Sequence, residues 1–236
     1  MNRVTRIYMV GAHSTGKTTM ARWVRDAYGL PMISEVARGV LAEMESALDS
    51  IRSNVDVVDR YQREVFLRQL ASEMEQPGSY VSDRSFCNLA YAASHSTILA
   101  ELARDPRLTN YMDKVRQGLV FFVRPHRELM TEDGVRESAN WDEIVRIDGM
   151  VKFMLEWFDV PYIPVASLAM QERQRLMDRV LSLHGMGRAG PACQLDAAPG
   201  ARSSSPSARG ATPGDDAPGA AAPASRGQRS PADQTS

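Results

Sequence analysis

Five short apolar runs punctuate the first 167 residues, and helical spacing fills most of the text between them. "RIYMV" (6–10) is rich in strand formers and stops at Gly11. "KTTMARWVRDAY" (17–28) then sets Met20, Val24 and Ala27 near one helical face. "LPMISEVAR" (30–38) predicts a second strand ending at Ser34 or Glu35, with helical text resuming through Leu41 and Met44. The amphipathic stretch 55–76 predicts a long helix, closed by Pro77 and Gly78. "SYVSDRS" (79–85) predicts a third strand and 86–103 a helix. "GLVFFVRP" (118–125) is nearly all apolar, as a central strand of a parallel sheet should be. A polar, Arg-rich segment (126–146) leads to a helix over 147–159. "VPYIPVAS" (160–167) predicts a fifth strand whose two prolines suit an edge, and 169–184 a last helix. This alternation predicts an α/β fold: roughly five parallel strands, with helices on both faces.

The pattern ends at about residue 184. From Gly185 to Ser236, Ala, Pro, Gly and Ser dominate and no aromatic residue occurs. Such text cannot bury enough apolar surface to offset its ordering entropy. The expected organisation is one domain over 1–184 and a disordered tail over 185–236. The tail carries five Arg and four Asp of the chain's 28 basic and 29 acidic residues, so the domain has a net charge of −2. That is not the global charge of a protein that coats nucleic acid, although Arg-rich local surfaces leave a basic cleft open. Cys87 and Cys193 form neither a zinc pattern nor a disulfide framework. No apolar run is long enough for a bilayer span and no signal-type segment opens the chain, so the expectation is a cytoplasmic protein without a membrane partner.

"GAHSTGKTT" (11–19) changes the picture most. It matches G-x-x-x-x-G-K-[ST] at every fixed position, after a strand and before a helix. Gly11 and Gly16 permit backbone angles and close approaches that a Cβ blocks. The amides of Gly11, Ala12, His13, Ser14, Thr15, Gly16, Lys17, Thr18 and Thr19 are the candidate phosphate cradle, at a helix N-terminus whose dipole favours anions. Lys17 is placed to reach the β- and γ-phosphates, and Thr18 to offer its hydroxyl to Mg²⁺.

Ligands of open parallel sheets lie outside the carboxyl ends of the strands, so the other strand ends are the next candidates. The second strand ends near Glu35 and Arg38, the third at Asp83 and Arg84, and the fourth in "RPHR" (124–127). Asp83 fits a Mg²⁺-organising carboxylate or a proton acceptor for a substrate hydroxyl, the alternative being that Asp83 or Ser85 caps the following helix. Glu35 fits a general base, an acceptor-binding group, or a first-turn surface acid. Arg38 and Arg84 suit phosphate or carboxylate, or an ion pair with a neighbouring acid. The long polar segment sets Arg127, Arg136 and Arg146 around a turn at 133–134, as a lid closing over a transferring phosphate would, or as a solvated hairpin.

Together "GAHSTGKTT", "SEVAR", "SDRSFCNLAYA" and "DGVR" resemble the P-loop nucleoside and nucleotide kinases of the thymidylate kinase-like superfamily. The resemblance is nearer to the nicotinamide riboside kinase-like ATPase domain, and extends to phage kinases acting on 5-hydroxymethyluracil in DNA. It covers roughly residues 5–183. It implies ATP and Mg²⁺ as cofactors, bound by Lys17 and Thr18. It implies acceptor handling by Glu35 or Asp83, and assistance to transfer by Arg136 and Arg146. The acceptor would be a nucleoside-like small molecule or a modified base in DNA. The lid and the stretch after the third strand depart from thymidylate kinases proper, which argues against thymidylate as acceptor. The competing expectation is a P-loop NTPase working as a switch or motor, passing phosphate only to water; a guanine-specific "N-K-x-D" is absent from the sequence.

Deleting residues 190–236 should leave cooperative unfolding and nucleotide binding intact, because the tail has no core-forming pattern. Thermal melts of full-length and truncated chains check this; a lost transition would contradict it.

Overall fold

A computed structural model describes residues 4–34, 55–96, 98–129 and 140–190. Strand β1 (Arg6–Val10) runs through a loop into helix α1 (Lys17–Tyr28), followed by the two-residue β2 (Met32–Ile33). Next come α2 (Val55–Met74), β3 (Tyr80–Asp83), α3 (Cys87–His95), the single turn α4 (Leu99–Leu102) and α5 (Pro106–Arg116). Then follow β4 (Leu119–Val123), α6 (Trp141–Trp157), β5 (Ile163–Val165) and α7 (Met170–Leu183). The strands form one five-stranded sheet, every pairing parallel, in the order β2-β3-β1-β4-β5.

β1 is central and buried from Ile7 to Val10. Its side chains alternate between two apolar layers, as strand periodicity requires. Ile7 and Met9 meet Met20 and Val24 of α1 and Met177 and Leu181 of α7. Tyr8 and Val10 face Phe66 of α2, Leu89 of α3, Tyr111 of α5 and Met154 of α6. β4 splits the same way, with Phe121 and Val123 on the α1 side and Val120 and Phe122 opposite. Burial on both faces explains why β1 and β4 read as unbroken apolar runs.

Several elements differ from the sequence expectation, each for a local reason. The helix expected over 86–103 is interrupted, because α3 gives way to extended backbone at Ser96. Helix α5 was not foreseen, yet its start is marked by capping chemistry: Asp105 accepts from the Arg107 amide at 2.9 Å, with Pro106 in the first turn. α6 begins at Trp141 rather than 147, because Asn140 caps it by accepting from the Asp142 amide at 3.1 Å. Arg146 therefore sits on a helix and not in a loop. β5 does lie at the sheet edge, as its prolines suggest. Leu41 and Met44 lie outside the described residues. Past α7 the chain still packs, with Met186 against the α1 layer and the Ala189 amide donating to the Ala27 carbonyl at 2.9 Å. Among the described residues no helix is long and apolar enough to cross a membrane.

One buried polar cluster braces the layer behind β3. Glu73 of α2 is 0% exposed. Its Oε1 accepts from Ser82 Oγ at 2.7 Å and Tyr111 Oη at 2.9 Å, and its Oε2 from Tyr80 Oη at 3.0 Å. Gln69 Nε2 donates to the same carboxylate at 3.2 Å. Glu73→Leu removes the acceptor shared by three buried hydroxyls and should destabilise the fold by roughly 3 kcal/mol, since bonds to a charged group contribute more than neutral ones. Urea unfolding measures this; a loss below ~1 kcal/mol would mean the network adds little net stability.

Candidate phosphate-binding site

β1 delivers the chain to Gly11 in a tightly confined position. Gly11 has φ +142°, and a Cβ there would lie 2.4 Å from the Val123 carbonyl oxygen of β4. Its amide donates to the buried Cys87 Sγ at 3.3 Å. The loop then closes on itself, Thr15 Oγ1 donating to the Ala12 carbonyl at 2.9 Å. Ser14 has a left-handed φ of 59° and Gly16 one of 91°. Gly16 also stands at the start of α1, where no side chain caps the helix and the first turn holds no acid. The leading amides and the dipole of α1 are thus not spent on a side-chain cap, which suits them to an anion.

Lys17, the first residue of α1, is only 7% exposed. Its ammonium donates to the Ala12 carbonyl, and to Thr15 Oγ1 at 3.4 Å. Burial pushes its pKa below the usual lysine value, while the Cys87 thiol and the Asp83 carboxylate work in the opposite direction. Next to it, Thr18 Oγ1 donates to Asp83 Oδ2 at 2.6 Å. Register explains that contact, because Asp83 pairs with Met9 and so ends β3 level with the end of β1. Asp83 is 4% exposed, and its Oδ1 is buried without a hydrogen-bond partner.

A hydroxyl and a carboxylate side by side, one carboxylate oxygen uncommitted, fit Mg²⁺. That ion is held by few protein oxygens, with phosphates and waters completing the shell. For the same reason no cluster of three acidic, His or Cys groups is needed, and none occurs among the described residues. The helix-cap reading of Asp83 and Ser85 does not hold, since α3 has no side-chain cap. Ser85 Oγ instead shares a hydrogen bond with Tyr111 Oη at 2.7 Å.

After Asp83 the backbone turns through two left-handed non-glycine residues, Arg84 (φ 89°) and Ser85 (φ 51°). Such residues store strain of about 1–3 kcal/mol each and cluster at functional sites. The Arg84 amide is tied to the Met9 carbonyl at 3.1 Å. The Arg84 side chain is exposed, and its charge is felt by Lys17, Cys87 and His13. Half-buried His13 contacts the Tyr91 ring, centroids 6.2 Å apart, and Tyr91 stacks on His95 at 4.4 Å. Burial lowers the His13 pKa, partly opposed by Glu143 of α6.

The structure thus brings Gly11 to Thr18 and Asp83 together. Arg127 is exposed just beyond β4 and Arg146 is exposed on α6. Glu35, Arg38 and Arg136 lie outside the described residues. Two groups were not singled out from sequence. Asp148 of α6 pairs with Arg124 Nη2 at 2.8 Å, leaving Oδ1 buried and unpartnered. Its pKa is raised by burial, against the charges of Arg124, Lys152 and Lys17. Arg173 of α7 donates to the Thr15 carbonyl. Asp148 stood in plain helical text and Arg173 in a polar helix, so neither carried a motif.

A family profile described as an AAA domain matches residues 6–173. The chain belongs to that family. No curated protein sequence matches it. Among solved structures, deoxyadenosine kinase from M. mycoides, with dCMP and dCDP bound, superposes with a TM-score of 0.53 at 13% identity, over 76% of this chain and 100% of that one. NadR protein in complex with NR gives 0.58 at 17% identity, over 80% of this chain. NadR with NAD and AMP-PNP gives 0.53 at 16%. The chain spans about half the length of the NadR proteins, 54% and 50%. At these identities the likeness establishes the fold, which is that of a P-loop kinase-like domain.

Asp83→Asn should keep the fold and raise the Mg²⁺ concentration needed for half-maximal nucleotide binding by about 10–100-fold, the usual effect of losing an outer-shell metal partner. Titrating Mg²⁺ at fixed AMP-PNP tests this, and an unmoved midpoint would take Asp83 away from the metal.

Proposed function

We propose that the protein is an ATP-dependent kinase that moves the γ-phosphoryl group of ATP to a hydroxyl of a nucleoside-like small molecule. The observation that carries the reading is the Thr18–Asp83 pair at 2.6 Å, set beside a buried Lys17 at the mouth of a complete phosphate loop. The kinase-like fold, shared with proteins solved with deoxynucleotides, NR and AMP-PNP, supports the acceptor class and the donor.

The roles follow from charge and position. The amides from Gly11 to Thr19 cradle the phosphates, and Lys17 trades its Ala12 and Thr15 contacts for phosphate oxygens. Thr18 and Asp83 would hold Mg²⁺, which when bound neutralises charge on the transferring group. The base that accepts the proton of the acceptor hydroxyl is Glu35 or Asp83. Arg136 and Arg146 are assigned to the charge that develops on the phosphoryl oxygens, an interaction strongest in the transition state. Arg146 would act from the second turn of α6, and Arg136 from the segment before it.

A panel assay with labelled ATP tests the reading: free nucleosides, nucleotides, and DNA with or without 5-hydroxymethyluracil. Label should appear in a nucleoside-like product, and Lys17→Ala should cut transfer by ~10²–10³-fold while the variant still melts cooperatively. Label in the modified DNA alone would move the acceptor from small molecule to polymer. Rapid phosphate release that no acceptor alters would favour the switch or motor reading, which the AAA description of the family keeps in play.

A further inference from the structure

Arg173 is the largest fully buried side chain of the described residues, at 1% exposure. A guanidinium that deep normally meets a carboxylate. Here no ion pair is formed among the described residues. Its Nε donates to the Ser167 carbonyl at 2.5 Å and its Nη1 to the Thr15 carbonyl at 2.7 Å. Its Nη2 is buried and meets no acceptor. Carbonyl dipoles solvate a cation only in part, so a positive charge lies behind the loop with no carboxylate in contact with it among the described residues.

Its position is specific. Arg173 Nη1 would be 3.2 Å from a Cβ placed on Gly16, so the guanidinium packs directly on the loop backbone. Glycine at 16 is therefore favoured by φ +91°, and a Cβ there would also crowd the guanidinium. The Thr15 carbonyl and the Gly16 N–H belong to one trans peptide and point in opposite directions. Drawing the carbonyl toward Arg173 aims the Gly16 N–H, an amide of the proposed cradle, away from it. The neighbouring Lys17 is likewise buried, and among the described residues its ammonium is hydrogen-bonded only to loop oxygens. Two buried cations thus flank one short loop, held by neutral oxygens.

We propose that Arg173 is a positioning residue for phosphate: it orients the Thr15–Gly16 peptide, and its charge is balanced by the polyphosphate of a bound nucleotide. α7 becomes part of the phosphate site through one side chain. This rests on the nucleotide reading above.

The test uses the full chain with Arg173→Met and Arg173→Lys. Dissociation constants for ATP and for inorganic tripolyphosphate are measured by calorimetry, beside the ligand-free melting midpoint. Arg173→Met should melt at or above wild type, since it removes a buried charge that lacks a partner. Its affinity for both probes should nonetheless fall by about 10–100-fold, through loss of the bond that orients the Thr15–Gly16 peptide and of the charge behind it. Arg173→Lys should recover part of that loss, keeping the charge but not the planar fork that spans two carbonyls. Affinities within about twofold of wild type in both variants would overturn the proposal, as would a loss that merely follows a lowered midpoint. Should Arg173→Met fail to fold, Arg173→Lys decides alone: weaker tripolyphosphate binding at an unchanged midpoint supports the role, and equal binding overturns it. A wild-type chain that binds neither probe refutes the nucleotide reading itself.

Discussion

The ends of three parallel strands must lie level for this site to exist, and Met9 sets that level. It pairs with Asp83 on one side and Phe121 on the other. One residue past β1, the carbonyl of Val123 passes so near Gly11 that no side chain fits. On the opposite flank the Arg84 amide bonds the Met9 carbonyl, and Asp83 is thereby presented to Thr18. A slip of one residue between β1 and β3 would turn Asp83 to the other face of the sheet and exchange it with a neighbour. The register is held by apolar alternation on both faces, so the chemistry of the loop rests on the packing of Ile7, Tyr8, Met9 and Val10.

The layer behind β3 adds a second restraint. Glu73 gathers Tyr80, Ser82 and Tyr111, and Tyr111 passes the connection on to Ser85. Ser85 is one of the two left-handed residues that follow Asp83. Strain at such positions persists only where the surroundings over-determine it. A buried carboxylate on α2 is thus linked, through two hydroxyls, to the turn that sets the direction of Arg84.

What was legible in the sequence was what is local. The phosphate loop announces itself because its glycines, Lys17 and Thr18 must follow one another along the chain. β1 and β4 were legible because burial on both faces leaves unbroken apolar text. Helix α5 carried a readable signal in Asp105 and Pro106, but its apolar positions Leu108, Met112 and Val115 are spaced among polar ones and make no continuous apolar run. The start of α6 was hidden for a similar reason: Asn140 caps a first turn whose Asp142 and Glu143 read as part of a polar loop. Arg173 and Asp148 were illegible in a deeper sense. The contact of Arg173 with Thr15 spans 158 residues, and nothing in the text around either end requires it.

Charge around the loop shows how fold and chemistry constrain each other. Among the described residues Lys17 and Arg173 are buried cations without carboxylate contacts, whereas Asp83 and Asp148 are buried acids that each keep one oxygen uncommitted. Pairing them inside the protein would satisfy the charges but close the site, since a bound phosphate would then have to break those pairs. Keeping the cations on carbonyl oxygens costs stability, yet it leaves their charge available to an anion. Keeping Asp83 on a threonine hydroxyl leaves its second oxygen available to a metal. Three of the unsatisfied buried atoms among the described residues, on Asp83, Asp148 and Arg173, thus belong to groups that touch the loop or act on Lys17, and the apolar layers on both faces of the sheet supply the stability that such an arrangement consumes.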